Sequence, residues 1–458
     1  MEYCRSNKND RNVKIKFDKQ KEHPMKVLMF GWEFPPFISG GLGTACHGIT
    51  NGLLHNDVEL SFVMPTKRGK NLDTPLHIIA ADEVPYIEKY KQAVRLTKKT
   101  QFFDSDSVFS ITPYYTTETY REFWYHFMQV IESNNLIEEY RGVLQFTGNY
   151  GHDLMDEVNR YGFVGEILGH SEDFDVIHAH DWLTYIAGVA AKKSSGKPLV
   201  IHVHATEFDR SGENTNQQVY DIERFGMENA DRIIAVSYYT KNIIVSRYGI
   251  HPDKVDVVHN AVNKHRNLDQ LDIKSHFNEK IVLFLGRVTM QKGPDYFIEA
   301  AHLVYKKIKN VRFVMAGSGD MLPRMILRMS ALRMLDRFHF TGFLQGLDVE
   351  RMYAMSDLYV MPSVSEPFGI APFEALLYDV PIIISKQSGV AEVLKNAVKI
   401  DFWDVNKMAD WMIRLLEDDK LAKCIVEASQ QDLETVGWDS AGFKIREIYQ
   451  NVINNSKI

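Results

Sequence analysis

Short runs of β-branched and aromatic residues alternate along this chain with longer stretches whose apolar residues recur every three or four positions. In the first half the runs fall at residues 27–32, 60–64, 175–178, 199–204, 232–236 and 255–259. In the second half they fall at 281–285, 311–315, 338–340, 358–361, 380–384 and 398–400. The runs are apolar at successive positions, so both of their faces are covered, and helix-period stretches separate them. That combination predicts parallel strands packed between helices. Twelve strands are more than a single open sheet usually holds. The series also restarts: residues 263–279 are polar and charged, and Ile281-Val-Leu-Phe-Leu-Gly286 then opens a second set. The pattern therefore predicts an α/β fold of two doubly wound, Rossmann-like parallel-sheet domains, 25–262 and 280–437, joined by a linker at 263–279. Open sheets place ligands beyond the carboxyl ends of their strands, so the cleft between two such sheets is the default site.

One stretch resists this reading. Residues 66–170 are rich in aromatics (Phe102-Phe103, Tyr114-Tyr115, Phe123-Trp124-Tyr125) and lack clean periodicity at their start, which reads as an insertion in the first domain. A structured insertion and a part of the substrate surface both fit it. A helix-like segment at 440–454 ends the chain.

Composition narrows the classes. With 458 residues, 45% hydrophobic and 25% charged, the chain is an ordinary globular one. A net charge of -7 argues against nucleic acid as the main partner. The charge is uneven: residues 1–24 carry seven basic against four acidic residues, a basic tail expected to be disordered, and the remainder is acidic. That tail has no apolar run and is not a signal peptide. Three scattered cysteines, Cys4, Cys46 and Cys424, form no disulfide framework and no zinc spacing, and no stretch approaches a membrane span. A cytoplasmic protein is expected, with membrane binding disfavoured.

Candidate chemistry collects where runs end. After the first run comes Gly40-Gly41-Leu42-Gly43, a glycine turn before a helix, where backbone amides and a helix N-terminus meet phosphate in many proteins. It is not a dinucleotide fingerprint, because Cys46 stands where a small residue is required, and no Gly-Lys-Ser/Thr follows it. A tight turn alone fits it equally well. Two runs end in histidines, His178-Ala-His180-Asp181-Trp182 and His202-Val-His204-Ala-Thr-Glu207-Phe-Asp209-Arg210. Histidines at i and i+2 of a strand share one face. The helical His-Glu-x-x-His signature is absent, so no metal is expected, and packing or capping is an alternative role for any one of them.

In the second half Gly286-Arg287 ends a run and Lys292-Gly293 follows it. A guanidinium and an ammonium there could neutralise a departing diphosphate without a metal, although a surface pair is the plain alternative. Ala316-Gly317-Ser318-Gly319 is a further glycine turn placed to take part of a nucleotide. The most specific element is Glu366-Pro-Phe368-Gly369-Ile370-Ala-Pro-Phe-Glu374. A helix starting near Gly369 leaves Glu366 in the preceding loop to face a sugar and carries Glu374 in its second turn toward a ribose. The amides between them then meet phosphate.

Together these motifs resemble the retaining nucleotide-sugar glycosyltransferases of the two-domain GT-B fold, and more narrowly the glycogen and starch synthases and their neighbours in glycosyltransferase family 4. The resemblance covers residues 25 to about 455 and is weakest over 66–170. It implies that Arg287 and Lys292 hold the diphosphate with help from Gly40, Gly41 and Gly43. Glu366 then contacts the donor sugar and Glu374 the ribose. It also implies that His204 sits at the reaction centre, that Asp181 lines the acceptor side, and that Phe343 flanks the base. Gly317, Phe368, Gly369 and Ile370 complete the donor site, and residues 438–458 form a helix that crosses back to the first domain. The implied co-substrate is ADP-glucose or UDP-glucose, with no other cofactor, and the implied acceptor is the end of an α-glucan. Bacterial ADP-glucose synthases usually carry Lys-x-Gly-Gly-Leu-Gly-Asp, whereas this chain has Ile38-Ser-Gly-Gly-Leu-Gly-Thr44, which moves it toward family 4, where donors vary. Transfer to a lipid-linked or cell-surface glycan precursor is the second reading, and a non-catalytic sugar-nucleotide binder the third.

Overall fold

The computed structural model describes residues 24–35, 40–67, 76–87, 141–151, 153–263 and 278–456. The basic tail, Cys4, Ile38-Ser39 of the glycine loop, the aromatic stretch 88–140 and most of the expected linker lie outside the described residues.

All twelve runs form strands. The first domain contains β1 (Met25–Phe30), β2 (Val58–Met64) and β3 (His77–Ala80), then a two-stranded antiparallel ribbon of β4 (Pro85–Ile87) and β5 (Arg141–Val143). It continues with β6 (Val176–His180), β7 (Leu199–Val203), β8 (Arg232–Ala235) and β9 (Val255–Val257). The second contains β10 (Lys280–Leu285), β11 (Val311–Ala316), β12 (Phe338–Gly342), β13 (Leu358–Met361), β14 (Ile382–Ser385) and β15 (Val398–Ile400). The first sheet has the order β3-β2-β1-β6-β7-β8-β9 and the second β12-β11-β10-β13-β14-β15. Both are parallel throughout. The fold class is therefore as the periodicity predicts: two parallel, Rossmann-like α/β domains. β6, β7, β13 and β14 are buried at every position, which is why they show no apolar–polar alternation and are largely apolar apart from the histidines of β6 and β7 and the serine that ends β14.

The stretch 66–170 is not simply an insertion. β3 adds an edge strand to the first sheet, pairing Ser61–Met64 of β2 with its own four residues. The helix Leu154–Ser171 packs tightly on the helix Trp182–Ser195, with Gly165 and Gly169 allowing the close approach: a Cβ at Gly165 would lie 2.3 Å from the Ala187 carbonyl oxygen. Four residues are too few to display a period, and small residues at a helix–helix contact blunt the hydrophobic signal, so both ends of the stretch escaped the pattern.

Each sheet reverses its winding once, between β1 and β6 in the first and between β10 and β13 in the second. Those two switch points are where crevices open at the carboxyl ends of strands. One crevice is flanked by the Gly40 turn and His180-Asp181, the other by Gly286-Arg287 and the loop 362–370. A continuous apolar cluster joins the domains, running from Val27 and Met29 through Trp438, Ile445 and Tyr449 to Leu283, Met361 and Phe373. Its middle is the helix Trp438–Asn455, which lies against the helix Gly41–Leu54.

Candidate active site

Three loops, from different parts of the sequence, meet at the mouth of the cleft. The first leaves β7 at Val203 and carries His204, so His204 lies just beyond the strand rather than within it. Its backbone is fixed from two sides. Asp181, at the end of β6, accepts from the amides of His204 (2.6 Å) and Ala205 (3.3 Å), and Arg210 donates to the Ala205 carbonyl at 3.0 Å. Asp181 adopts φ of +58°, strain that a non-glycine residue bears only when its surroundings hold it there. Burial pushes its carboxyl up to about 6, against the pull of Arg210. Its Oδ1 is thus committed to the loop, which makes Asp181 a support for His204 rather than a free wall of the acceptor side. Thr206 and Asp209 form a capping box that starts the short helix Glu207–Ser211. Below it Arg210 is held by Glu223 at 3.0 Å.

The second loop follows β10. Gly286 (φ +152°) and Gly317 (φ +145°) touch backbone to backbone, and a Cβ on Gly317 would stand 1.9 Å from the Gly286 carbonyl oxygen. Arg287 is exposed and its guanidinium donates to Gln291 at 3.0 Å. The turn Met290–Lys292 ends at Gly293 (φ +66°), and Lys292 forms an ion pair with Glu366.

The third loop follows β13. Glu366 is buried, and besides Lys292 it accepts from the Ser363 hydroxyl at 3.2 Å. Its backbone forms a β-bridge with Ser388, which pins the acid in place. Gly369 has φ of +94°, which only glycine takes without strain, and its bare Cα abuts the Glu366 side chain. The helix begins at Ala371, two residues later than the spacing indicates, because Pro372 suits its first turn. Glu374 is therefore in its first turn, not its second; Tyr353 donates to it at 3.0 Å and burial raises its carboxyl.

Ser365 brings the first and third loops together: its hydroxyl donates to Asp209 at 2.5 Å and meets the Tyr239 hydroxyl at 3.0 Å. Gly212, at the end of the short helix, lies opposite Met290, so the first loop also touches the second. Beside this contact the helix Tyr238–Tyr248 points its N-terminus at the second domain. The amides of Tyr238 and Tyr239 donate to Glu392 at 2.9 and 2.7 Å, His259 adds 2.8 Å, and these bonds outweigh burial to lower the Glu392 carboxyl.

The His204 loop, Lys292 and Glu366 thus border one mouth, with Asp181 behind the loop as its support. Arg287 stands at its rim, with Gly317 behind it. Gly40 and Gly41 sit at the start of the helix Gly41–Leu54, which has no side-chain cap and no acid in its first turn, and the space beside both glycines is open. Gly43 is buried inside that helix. Phe343 is more than half exposed (54%). Phe368 differs: its ring is buried between His259 and Phe373, so it packs the domain contact instead of facing the cleft. Ile370 is half-buried against the same core. Sequence reasoning missed Asp209, Ser365, Tyr239 and Glu392. Of these only Asp209 had a local signal, the Thr-x-x-Asp capping spacing.

Beneath His204 the two histidine pairs form one cluster. β6 and β7 run in register with His180 opposite His202, which sets His178, His180, His202 and His204 on one face. Ring centroids are 4.2 Å apart for His178–His180 and 4.3 Å for His202–His204. Burial lowers all four, to about 3 for His178 and His204, so the rings are neutral.

Comparison with known proteins fits this arrangement. The family "Glycosyl transferases group 1" matches residues 269–432, and "Glycosyltransferase Family 4" matches residues 133–266. An uncharacterized glycosyltransferase of Methanocaldococcus jannaschii, MJ1607, is 28% identical over 93% of this chain and 98% of its own. Glycogen synthase of Mycobacterium tuberculosis is 24% identical over 93% and 94%. Anabaena Alr3699/HepE, solved with UDP and glucose, superposes with a TM-score of 0.62 at 16% identity, covering 93% of this chain and all of that one. One matched family thus falls on each of the two Rossmann-like domains, and the chain is similar over most of its length to glycosyltransferases with the GT-B fold.

Proposed function

We propose that the protein transfers a hexose, glucose in the first instance, from a nucleotide-sugar to the end of an α-glucan with retention of configuration. The observation that carries this reading is the Lys292–Glu366 ion pair lying in the same mouth as the His204 loop, with Arg287 at its rim. A cation pair beside a buried acid suits a leaving diphosphate and a sugar hydroxyl. The end-to-end likeness to a glycogen synthase supports the acceptor, and a neighbour solved with UDP and glucose supports the donor class.

Lys292 and Arg287 meet the charge that develops on the diphosphate as the glycosidic bond breaks. Glu366 orients the sugar, and Glu374, held by Tyr353, receives the ribose. The acceptor hydroxyl attacks from the face the diphosphate leaves, and a departing phosphate oxygen takes its proton, so no protein nucleophile is required. The neutral His204 ring adds no charge beside the sugar. Closure of the two domains keeps water from the donor.

The test is a screen of ADP-, UDP- and GDP-sugars for release of the nucleotide, with and without glycogen. Glycogen-dependent release from one glucose donor, with label entering α-1,4 linkages, is the expected result. Release that glycogen does not stimulate, but that a lipid-linked glycan does, overturns the acceptor; release from no donor overturns the reading.

A further inference from the structure

We propose that His178, His180 and His202 form a binding site for one divalent transition-metal ion of the zinc class, buried in the first domain and separate from the donor site. Two neighbouring histidines on one strand and a third opposite them on the next give three imidazoles on one face, a spacing that suits a three-histidine metal centre. All three side chains are at least 99% buried. One ligand nitrogen from each lies within 4.8 Å of the others.

That unpaired state is the second observation. His178 Nε2, His180 Nε2 and both ring nitrogens of His202 are buried with no hydrogen-bond partner among the described residues. A buried polar atom normally has one, and three orphaned imidazoles side by side call for a common partner. The remaining nitrogens are already arranged as outer supports of a metal site are. His178 Nδ1 is bonded to the Tyr449 hydroxyl at 2.5 Å and His180 Nδ1 to His204 Nε2 at 2.9 Å. With each Nδ1–H donating, both Nε2 atoms carry bare lone pairs, the tautomer a metal ligand needs.

The rings of His178 and His202 are nearly parallel, 10° apart, with His180 tilted by 33° and 24° to them. Ligation therefore turns the rings about their Cβ–Cγ bonds, drawing nitrogens toward the roughly 3.3 Å separation set by bonds of about 2.0–2.1 Å in a tetrahedral site. Imidazoles without carboxylates favour zinc, copper or nickel over magnesium or calcium. An ion there would tie β6 to β7 under the His204 loop and, through Tyr449, to the helix that joins the domains.

Cobalt(II) titrated into the chelator-treated full-length protein reads this directly. The expected result is one ion per chain, with the visible absorption of four-coordinate cobalt, displaced by zinc and accompanied by a raised Tm. His178→Phe and His202→Phe abolish that band, and Tyr449→Phe, which removes only the outer support, weakens binding by about 10- to 100-fold. Circular dichroism confirms that each variant is folded; should one unfold, the wild-type titration still decides. Absence of the cobalt band in the wild type overturns the site and leaves water as the partner of these nitrogens. Cys46 Sγ forms a second group with His180 and His204. Loss of binding in Cys46→Ser with retention in His178→Phe and His202→Phe overturns the assignment of ligands.

Discussion

Ser365 of the second domain donates its hydroxyl to Asp209 of the first at 2.5 Å, and the same hydroxyl meets Tyr239 at 3.0 Å. Ser365 precedes Glu366, and Asp209 caps the turn that follows His204. One hydroxyl thus ties the loop that carries Glu366 directly to the loop that carries His204. A hydrogen bond to a charged partner contributes about 1.5–3 kcal/mol. Ser365→Ala is therefore expected to lower kcat/KM by about tenfold or more with only a modest fall in Tm, since the apolar cluster still joins the domains. Unaltered kinetics in this variant would show that the bond does not align the site.

Lys292 and Glu366 are coupled, so their substitutions are not independent. Each single change, Lys292→Ala or Glu366→Ala, is expected to cut turnover by on the order of 100-fold or more, the usual loss when a contact to developing charge is removed. The double variant should lose far less than the product of the two, because either change already dismantles the pair. Single-turnover rates for the three proteins measure this. Strictly multiplicative losses would mean that the two side chains serve the reaction separately.

The sequence disclosed the scaffold because buried parallel strands carry their own signature, and β7, β13 and β14 each have at most one polar residue. It also disclosed the Gly286, Gly317 and Gly369 turns, whose positive φ angles only glycine takes easily. What stayed hidden depends on contacts between distant segments. Asp209 and Ser365 are 156 residues apart, Tyr238 and Glu392 are 154 apart, and no local pattern links them. The histidine cluster was half visible: each His-x-His gives a shared face on its own strand, but only the β6–β7 register places His180 opposite His202. Phe368 was misjudged because an aromatic beside a glycine turn reads the same whether it faces a ligand or fills a domain contact.

Glu166 predicts a pH dependence of stability unrelated to catalysis. It lies on the helix Leu154–Ser171, only 5% exposed, with Oε2 lacking a hydrogen-bond partner among the described residues, and burial raises its carboxyl to about 7. Its folded value is above the unfolded one, so between about pH 4.5 and 7 the folded state holds the extra proton. Stability therefore falls as pH rises through that window and levels off above it. Glu166→Gln, which mimics the protonated acid, should remove this slope and be on the order of 3 kcal/mol more stable relative to wild type at pH 8 than at pH 4.5. Denaturant midpoints of both proteins across that range test it, and parallel curves would rule out Glu166 as the source.

The contact between the helices Gly41–Leu54 and Trp438–Asn455 is expected to tolerate no added side chain. A Cβ at Gly52 would lie 2.1 Å from the Trp438 carbonyl oxygen, and one at Gly442 would lie 2.3 Å from the Gly52 backbone. Both obstacles are main chain and cannot swing aside as a flexible side chain does. Gly52→Ala should therefore push the helices apart and cost about 1–3 kcal/mol, with Gly442→Ala similar. Because the two glycines face one another, the first substitution already opens the gap that the second needs. The double variant should thus be less destabilised than the sum of the singles. The same displacement shifts the N-terminus of the helix Gly41–Leu54, where Gly40 and Gly41 border the cleft, and so weakens any diphosphate held there. Calorimetric Tm values and a donor KM for the three variants report the two effects together. A lowered Tm with an unchanged donor KM would separate the strap from the glycine turn and remove that turn from the donor site.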